Sequence, residues 1–166
     1  KGKVLKKLEN VELLSIIISR ILRSKNAVKV IVATSLDKKD DQIISLLKKI
    51  NIPYYRGSSE DVLSRIINCA KKYNIKNILR VTGDNPLTDF NLIDDMIKKF
   101  NKVKNIDYMT NNNFKFDKKK RNIAVGLDLS ILTLKSLKLI QKLIHNNKTY
   151  SEYPTLYFYT ELGASK

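Results

Sequence analysis

Asn77-Ile78-Leu79-Arg80-Val81-Thr82-Gly83-Asp84-Asn85-Pro86-Leu87 runs from a short apolar segment straight into a turn-forming one. Residues 77–81 are few and branched enough for a strand covered on both faces, and Thr82 to Pro86 then supplies the residue types that end a strand. Glycine and proline would fix the backbone there and hold Asp84 at the sheet edge, where a hard divalent cation takes carboxylate oxygens. A Gly-Asp-Asn-Pro sequence also serves as turn chemistry alone, so these residues by themselves leave both readings open.

Outward from this stretch the periodicity alternates. Upstream, Lys3-Val4-Leu5 reads as a short extended piece, and Leu13, Leu14, Ile17, Ile18, Ile21 and Leu22 recur at helical spacing. Val28 to Ala33 reads as a strand, and Ile43, Ile44, Leu47 and Ile50 stripe a helix that Asn51-Ile52-Pro53 closes. Pro53 to Arg56 is a short strand; Ser58 with Asp61 three residues on marks a helix start, and Val62, Leu63, Ile66, Ile67, Ala70 and Tyr73 fill that helix. Downstream, Leu92, Ile93, Met96, Ile97 and Phe100 form another inward stripe. Strands thus alternate with helices over about 100 residues, the signature of a parallel sheet with helices on both faces. Farther on, a strand is expected at Ile106 to Met109, a polar loop over 111–121, an extended Val125 to Ile131, a helix from Leu134 to Ile144 and an aromatic strand at Leu156-Tyr157-Phe158-Tyr159. The expectation is a single domain over residues 1–166, a Rossmann-like half joined to a mixed half.

Composition narrows the function classes. The chain has 166 residues, 43% of them apolar, one cysteine and a formal charge of +16. Cys69, inside an apolar helical stripe, excludes a disulfide scaffold and reads as a buried thiol. No segment has the apolar length of a membrane span or the pattern of a secretory signal, so the expected setting is the cytoplasm without membrane association. The charge invites a nucleic-acid reading, but it is carried mostly by lysine, and arginine is confined to Arg20, Arg23, Arg56, Arg65, Arg80 and Arg121. The densest basic run, Lys118-Lys119-Lys120-Arg121, falls in the polar stretch and reads as solvated loop. A nucleic-acid partner is therefore not expected, although the positive field would concentrate polyanionic substrates.

Ligands of open parallel sheets bind beyond the carboxyl ends of strands, which directs attention to the loops after Ala33, Arg56 and Val81. Those loops also carry a resemblance. Lys1-Gly2-Lys3-Val4-Leu5, Val32-Ala33-Thr34-Ser35, the segment Arg56-Gly57-Ser58-Ser59-Glu60-Asp61-Val62-Leu63-Ser64-Arg65, Arg80 to Leu87, Asp107-Tyr108-Met109-Thr110-Asn111 and Gly126-Leu127-Asp128-Leu129 resemble, in this order, motifs of one family. It is the cytidylyltransferases of the spore coat polysaccharide biosynthesis protein F type, relatives of the acylneuraminate and 3-deoxy-manno-octulosonate cytidylyltransferases.

The resemblance implies an α/β fold, a three-layer α/β/α Rossmann-like nucleotide-diphospho-sugar transferase with a mostly parallel mixed sheet. It also implies that the first strand and a basic, glycine-containing triphosphate loop are missing, since family members carry them just before the point where this chain starts. The implied activity is transfer of CMP from CTP to a sugar acid with Mg2+, in a homodimer formed through the mixed half. Residue by residue, Asp84 would ligate the metal, Asp128 would be a second ligand or a sugar contact, and Lys3 would sit against the phosphates. Ala33 and Thr34 would border base and ribose, and Arg56, Asp61, Arg65, Arg80 and Asn111 would surround the nucleotide or the sugar. For Arg65 a helix-surface ion pair, and for Asp128 a capped strand end, are equally open. His145 reads as a helix-end cation, not a general base. Ser130 departs from the family, which commonly has an acidic residue there, and this implies a weaker second metal site or a shifted substrate. Two rivals stand beside this reading: a nucleotide-sugar-dependent glycosyltransferase, and a non-catalytic domain that dimerises or binds a partner.

Overall fold

Helices form where the apolar stripes place them. The computed structural model describes residues 2–112, 123–124, 126–145 and 147–162. Its longer helices are α1 (Leu13–Ile21), α2 (Asp41–Lys49), α3 (Val62–Lys72), α4 (Phe90–Lys102) and α5 (Leu134–Leu143), followed by the short α6 (Lys148–Glu152) and α7 (Leu156–Thr160). Several starts are capped by side chains that accept from the first free backbone N–H groups: Asp61 from Ser64, Asp89 from Asn91, Thr133 from Ser136 and Asn147 from Tyr150. The helix opening predicted from Ser58 and Asp61 is thus present, with Asp61 as the cap. Ser58 Oγ accepts from the backbone N–H groups of Glu60 and Asp61 just upstream.

The strands are short. β1 (Lys7–Leu8) and β2 (Val11–Glu12) form an antiparallel hairpin, and β3 (Val32–Ser35) pairs in parallel with β4 (Tyr54–Gly57), Val32 opposite Tyr54 and Ser35 opposite Gly57. β5 (Asn77–Arg80), β6 (Tyr108–Thr110) and β7 (Ser130–Thr133) make a three-stranded sheet in the order β5-β7-β6. The sheet edge anticipated after residues 77–81 is therefore formed.

The chain divides into two compact units, Lys1–Val30 with Leu79–Ile131, and Ile31–Ile78 with Leu132–Lys166. In the first, Ile93, Met96 and Phe100 of α4 bury against Leu129 and Ile131, with Leu79, Val81, Ile106 and Met109 packed around them. In the second, α3 packs on β3, β4, α5 and α6, and Leu47, Leu63, Ile67, Leu132, Leu137 and Ile140 are almost wholly enclosed. Each such side chain contributes roughly 1.5–3 kcal/mol by leaving water. Cys69 is buried here as a free thiol, and burial pushes its ionisation up.

Five expectations need correction. Lys3–Leu5 is a 3-10 turn, not an extended piece, closed by Lys6 N–H donating to the Lys3 carbonyl. The strand predicted at 28–33 begins only at Val32, because pairing with β4 starts at Tyr54 and Val28 is fully exposed. The strand predicted at Ile106 starts at Tyr108, and the extended segment toward Ile131 becomes a strand only from Ser130, Val125 lying outside the described residues. The aromatic strand at 156–159 is helix α7. Tyr157 stacks edge-on against Tyr150 at 5.2 Å, the Tyr150 hydroxyl lies 3.1 Å from Thr160 Oγ1, and Phe158 is buried. One-sided contacts with α6 suit a helical turn and override the strand propensity of Leu-Tyr-Phe-Tyr. The basic run 118–121 and most of the polar loop lie outside the described residues. Among the described residues, no helix is long and apolar enough to cross a membrane.

Candidate active site

The turn after β5 is braced from beneath. Asn85 N–H donates to the Thr82 carbonyl at 3.2 Å, and the Asn85 carbonyl accepts from both the N–H and the hydroxyl of Thr88, at 3.1 and 2.7 Å. Thr88 is 1% exposed, and its own carbonyl accepts from Arg20 Nε at 2.6 Å. A buried threonine and a helix-α1 arginine therefore fix the loop whose tip presents Asp84, which is exposed. Among the described residues no hydrogen bond or ion pair engages the Asp84 carboxylate.

Two further segments of the same unit meet this turn. A Cβ on Gly83 would lie 3.2 Å from Val4 Cγ1, so the 3-10 turn carrying the exposed Lys3 lies directly against Gly83. Gly126 has φ +90, a conformation that L side chains rarely adopt, and a Cβ there would lie 3.8 Å from Asn85 Oδ1. The loop leading to Asp128 thus passes the side of the same turn. Lys3, Asp84 and Asp128 are carried by three segments that converge. Arg80, the last residue of β5, is half-buried immediately before them.

Asparagines hold the Asp128 loop. Asn111 Nδ2 donates to the Leu127 carbonyl and Asn111 Oδ1 accepts from Leu129 N–H, each at 2.8 Å, so one amide grips the backbone on both sides of Asp128. Asn112 Nδ2 donates to Asp128 Oδ1 at 2.7 Å. Asn111, expected around substrate, has both ends of its amide engaged with this loop. Ser130 opens β7.

Ala33, Thr34, Arg56, Asp61 and Arg65, expected around base and sugar, lie in the other unit, and most are committed to their own loops. Ala33 is half-buried in β3. Thr34 is buried, and its hydroxyl donates to Asp40 Oδ2 at 2.7 Å; the same oxygen accepts from Ser35 N–H and Ser35 Oγ. Burial alone would raise the Asp40 carboxyl, but the hydrogen bonds from Ser35 and Thr34, with Lys39 nearby, leave it below its ordinary value. Arg56 donates from Nε to the Ser35 carbonyl and from Nη2 to the Asp37 carbonyl, both at 3.0 Å, and pairs with Asp41 at 2.8 Å. Asp61 caps α3. Arg65 donates to the Ser58 carbonyl, its buried Nε is without a hydrogen-bond partner among the described residues, and burial lowers its proton affinity against the opposing pull of Asp40 and Asp61. His145 follows α5 in a left-handed conformation, φ 42, and is exposed.

Sequence reasoning missed Thr88, Arg20, Asp40 and Asn112. Asp40 had a readable signal, an acidic residue just ahead of a helix and within reach of the hydroxyls at Thr34 and Ser35. Asn112 had none, standing in a run of asparagines.

For a metal, no group of three His, Cys, Asp or Glu residues among the described residues is placed to hold an ion unaided. Magnesium does not demand such a cage, since it binds through one or two carboxylates together with water and substrate phosphate. An exposed, rigidly mounted Asp84 and a fixed Asp128 fit that mode.

The sequence model of one family, described as cytidylyltransferase, matches residues 1–165. The chain belongs to the cytidylyltransferase family. An uncharacterised protein of Methanocaldococcus jannaschii is 37% identical over 96% of this chain and 61% of its own length. The spore coat polysaccharide biosynthesis protein SpsF of Bacillus subtilis is 31% identical over 94% of this chain and 62% of its own. The chain therefore spans about three fifths of the length of these curated relatives. Among solved structures, a cytidylyltransferase from Leptospira borgpetersenii serovar Hardjo-bovis superposes with a TM-score of 0.87 at 29% identity, covering 98% of this chain and 66% of that one. CMP:2-keto-3-deoxy-manno-octonic acid synthetase, solved with CTP, shares the fold with a TM-score of 0.70 at 10% identity, over 98% of this chain and 79% of that one. The Rossmann-like α/β expectation holds, as does the family expectation.

Proposed function

We propose that the protein transfers CMP from CTP to a sugar acid with magnesium, releasing pyrophosphate. The observation that carries this reading is the convergence of the Lys3 turn, the Asp84 turn and the Asp128 loop, marked by the close approaches at Gly83 and Gly126. Membership of the cytidylyltransferase family supports the donor class, and the name of the Bacillus subtilis relative points to polysaccharide synthesis as the setting.

In the reaction, an acceptor hydroxyl oxygen forms a bond to the α phosphorus while the bridging bond to the β phosphate breaks. Pyrophosphate leaves with the bonding electrons, and the hydroxyl proton goes to solvent. Positioning and charge neutralisation dominate such transfers, with little covalent work for side chains. Asp84 and Asp128 would hold magnesium, which when bound neutralises phosphate charge and aligns the reacting oxygens. Lys3 adds a point charge beside the phosphates, and the net charge of +16 draws polyanions toward the surface. A homodimer and a cytoplasmic setting belong to the same reading.

The test is incubation with CTP, magnesium and a nonulosonic acid, following pyrophosphate. Release that depends on all three is the expected result. Consumption of UDP-sugars with CTP left intact would replace the reading by glycosyl transfer, and absence of CTP binding in the presence of magnesium would leave a non-catalytic domain.

A further inference from the structure

Asn112 is 9% exposed, and its amide is used on one side only. Nδ2 donates to Asp128 Oδ1 at 2.7 Å, whereas the buried Oδ1 has no hydrogen-bond partner among the described residues. Turning the amide over would set Oδ1 against the carboxylate, oxygen to oxygen, so the orientation follows from Asp128. Enclosing an acceptor without a partner is destabilising, and such groups in a native fold call for a reason other than stability. The neighbouring Asn111 shows the contrast. Both ends of its amide are satisfied by the backbone at Leu127 and Leu129, which is what a loop-stabilising asparagine looks like.

We propose that Asn112 is a positioning residue that sets the orientation of the Asp128 carboxylate for the cation accompanying the nucleotide. Asn111 fixes where the backbone carries Asp128, and Asn112 takes part in setting which way its carboxylate turns. The division of labour matters because Asp128 is only half-buried and lies on a loop, where a carboxylate held by fewer partners samples more rotamers. A ligand locked in one rotamer by an outer hydrogen bond binds its ion more tightly than a mobile one, and loss of such partners typically costs 10–100-fold in affinity. This inference rests on the proposed role of Asp128 as a metal ligand.

The experiment titrates Mn2+ into the chain with α,β-methylene-CTP, reading bound manganese by electron paramagnetic resonance, with thermal unfolding measured on the same samples. Asp128→Asn should raise the Mn2+ midpoint at least about tenfold. Asn112→Leu, which keeps the branching at the γ carbon but removes both the donor and the unpaired acceptor, should raise it about fivefold or more, with a Tm close to that of the parent. Should Asn112→Leu fail to fold, Asn112→Ser carries the same criterion. A parent-like Mn2+ midpoint in a folded Asn112 variant, with Asp128→Asn weakened, overturns the positioning role alone. A parent-like midpoint in Asp128→Asn overturns the metal assignment and the positioning role with it. A fall in affinity that only tracks a fall in Tm assigns Asn112 to the fold, and likewise sinks the proposal.

Discussion

The loops that follow β3 and β4 and the turn that follows β5 use the same residue types to opposite ends. After β3 and β4, the polar side chains are turned on one another: Asp40 collects Thr34 and Ser35, Arg56 ties down the carbonyls of Ser35 and Asp37, and Asp61 caps its own helix. After β5, the bracing is done by Thr88 and Arg20 from behind, and the carboxylate at the tip is left exposed. A loop whose charged groups are consumed internally can offer a ligand a fixed backbone. A loop braced from outside can offer a charge. The first suits recognition through backbone N–H and C=O groups, the second suits a cation.

The sharpest way to break this contrast is Asp84→Ala. With no described hydrogen bond or ion pair to lose, the substitution should leave Tm within about 1 °C, since exposed sites away from special features change stability by little. Turnover of CTP should fall about 1,000-fold, the equivalent of roughly 4 kcal/mol of lost charge stabilisation in the reaction. A variant that retains more than a tenth of parental pyrophosphate release would place the catalytic charge elsewhere, and one that unfolds would show Asp84 to be structural after all.

Exposure of Asp84 is not a general habit of its unit, as Asp94 demonstrates. That carboxylate, 8% exposed on α4, accepts from Ser24 Oγ at 2.5 Å and from the backbone N–H groups of Lys25 and Asn26. Burial would raise its ionisation, but these hydrogen bonds outweigh burial and bring it from 3.8 down to about 2. The folded chain therefore holds this proton less readily than the unfolded chain does. Its contribution to stability is complete above the unfolded value and is lost as pH falls through the folded one. Asp94→Ala should cost about 3 kcal/mol at neutral pH, where the carboxylate is ionised and its three donors lose their partner. The gap from the parent should close as the pH drops from 3.8 toward about 2, followed by urea unfolding at each pH. Equal gaps at pH 7 and at acid pH would remove the hydrogen-bonded carboxylate from the account.

Legibility in the sequence followed the range of the interaction. Helices α1 to α5 and the strand leading to Asp84 were readable because burial of one face imposes a spacing on neighbouring residues, as at Ile93, Met96 and Phe100. Helix α7 was not, because Leu-Tyr-Phe-Tyr is as good a strand as a helix until Tyr150 stacks against Tyr157. Among the candidate site residues, the place of Asp84 on a turn at the end of a strand was legible from Gly-Asp-Asn-Pro, and a ligand role only from the resemblance. The commitments of Thr34, Arg56 and Asp61 were not, since each depends on the partner that the fold delivers. Asp128 was legible only through its resemblance to a family motif; its grip by Asn111 and Asn112 spans 16 residues of sequence, where no periodicity reaches.

Asp61 offers the finest test of the contrast, because a cap and a substrate contact make different demands on one carboxylate. As a cap, Asp61 needs only one oxygen, Oδ1, which accepts from Ser64 N–H at 2.8 Å; Oδ2 accepts in addition from Ser64 Oγ at 2.5 Å. Asparagine supplies that oxygen and ranks with aspartate at helix starts, so Asp61→Asn should hold parental stability, whereas Asp61→Ala should lose about 1 kcal/mol in urea unfolding. If the carboxylate acts only through α3, KM for CTP and for the acceptor should both survive in Asp61→Asn. A contact with a sugar hydroxyl would need the charge as well, and the asparagine variant would then raise KM for the acceptor alone, at unchanged stability. That outcome would return Asp61 to the substrate side and narrow the difference between the two regions to the Arg56 and Asp40 clamp.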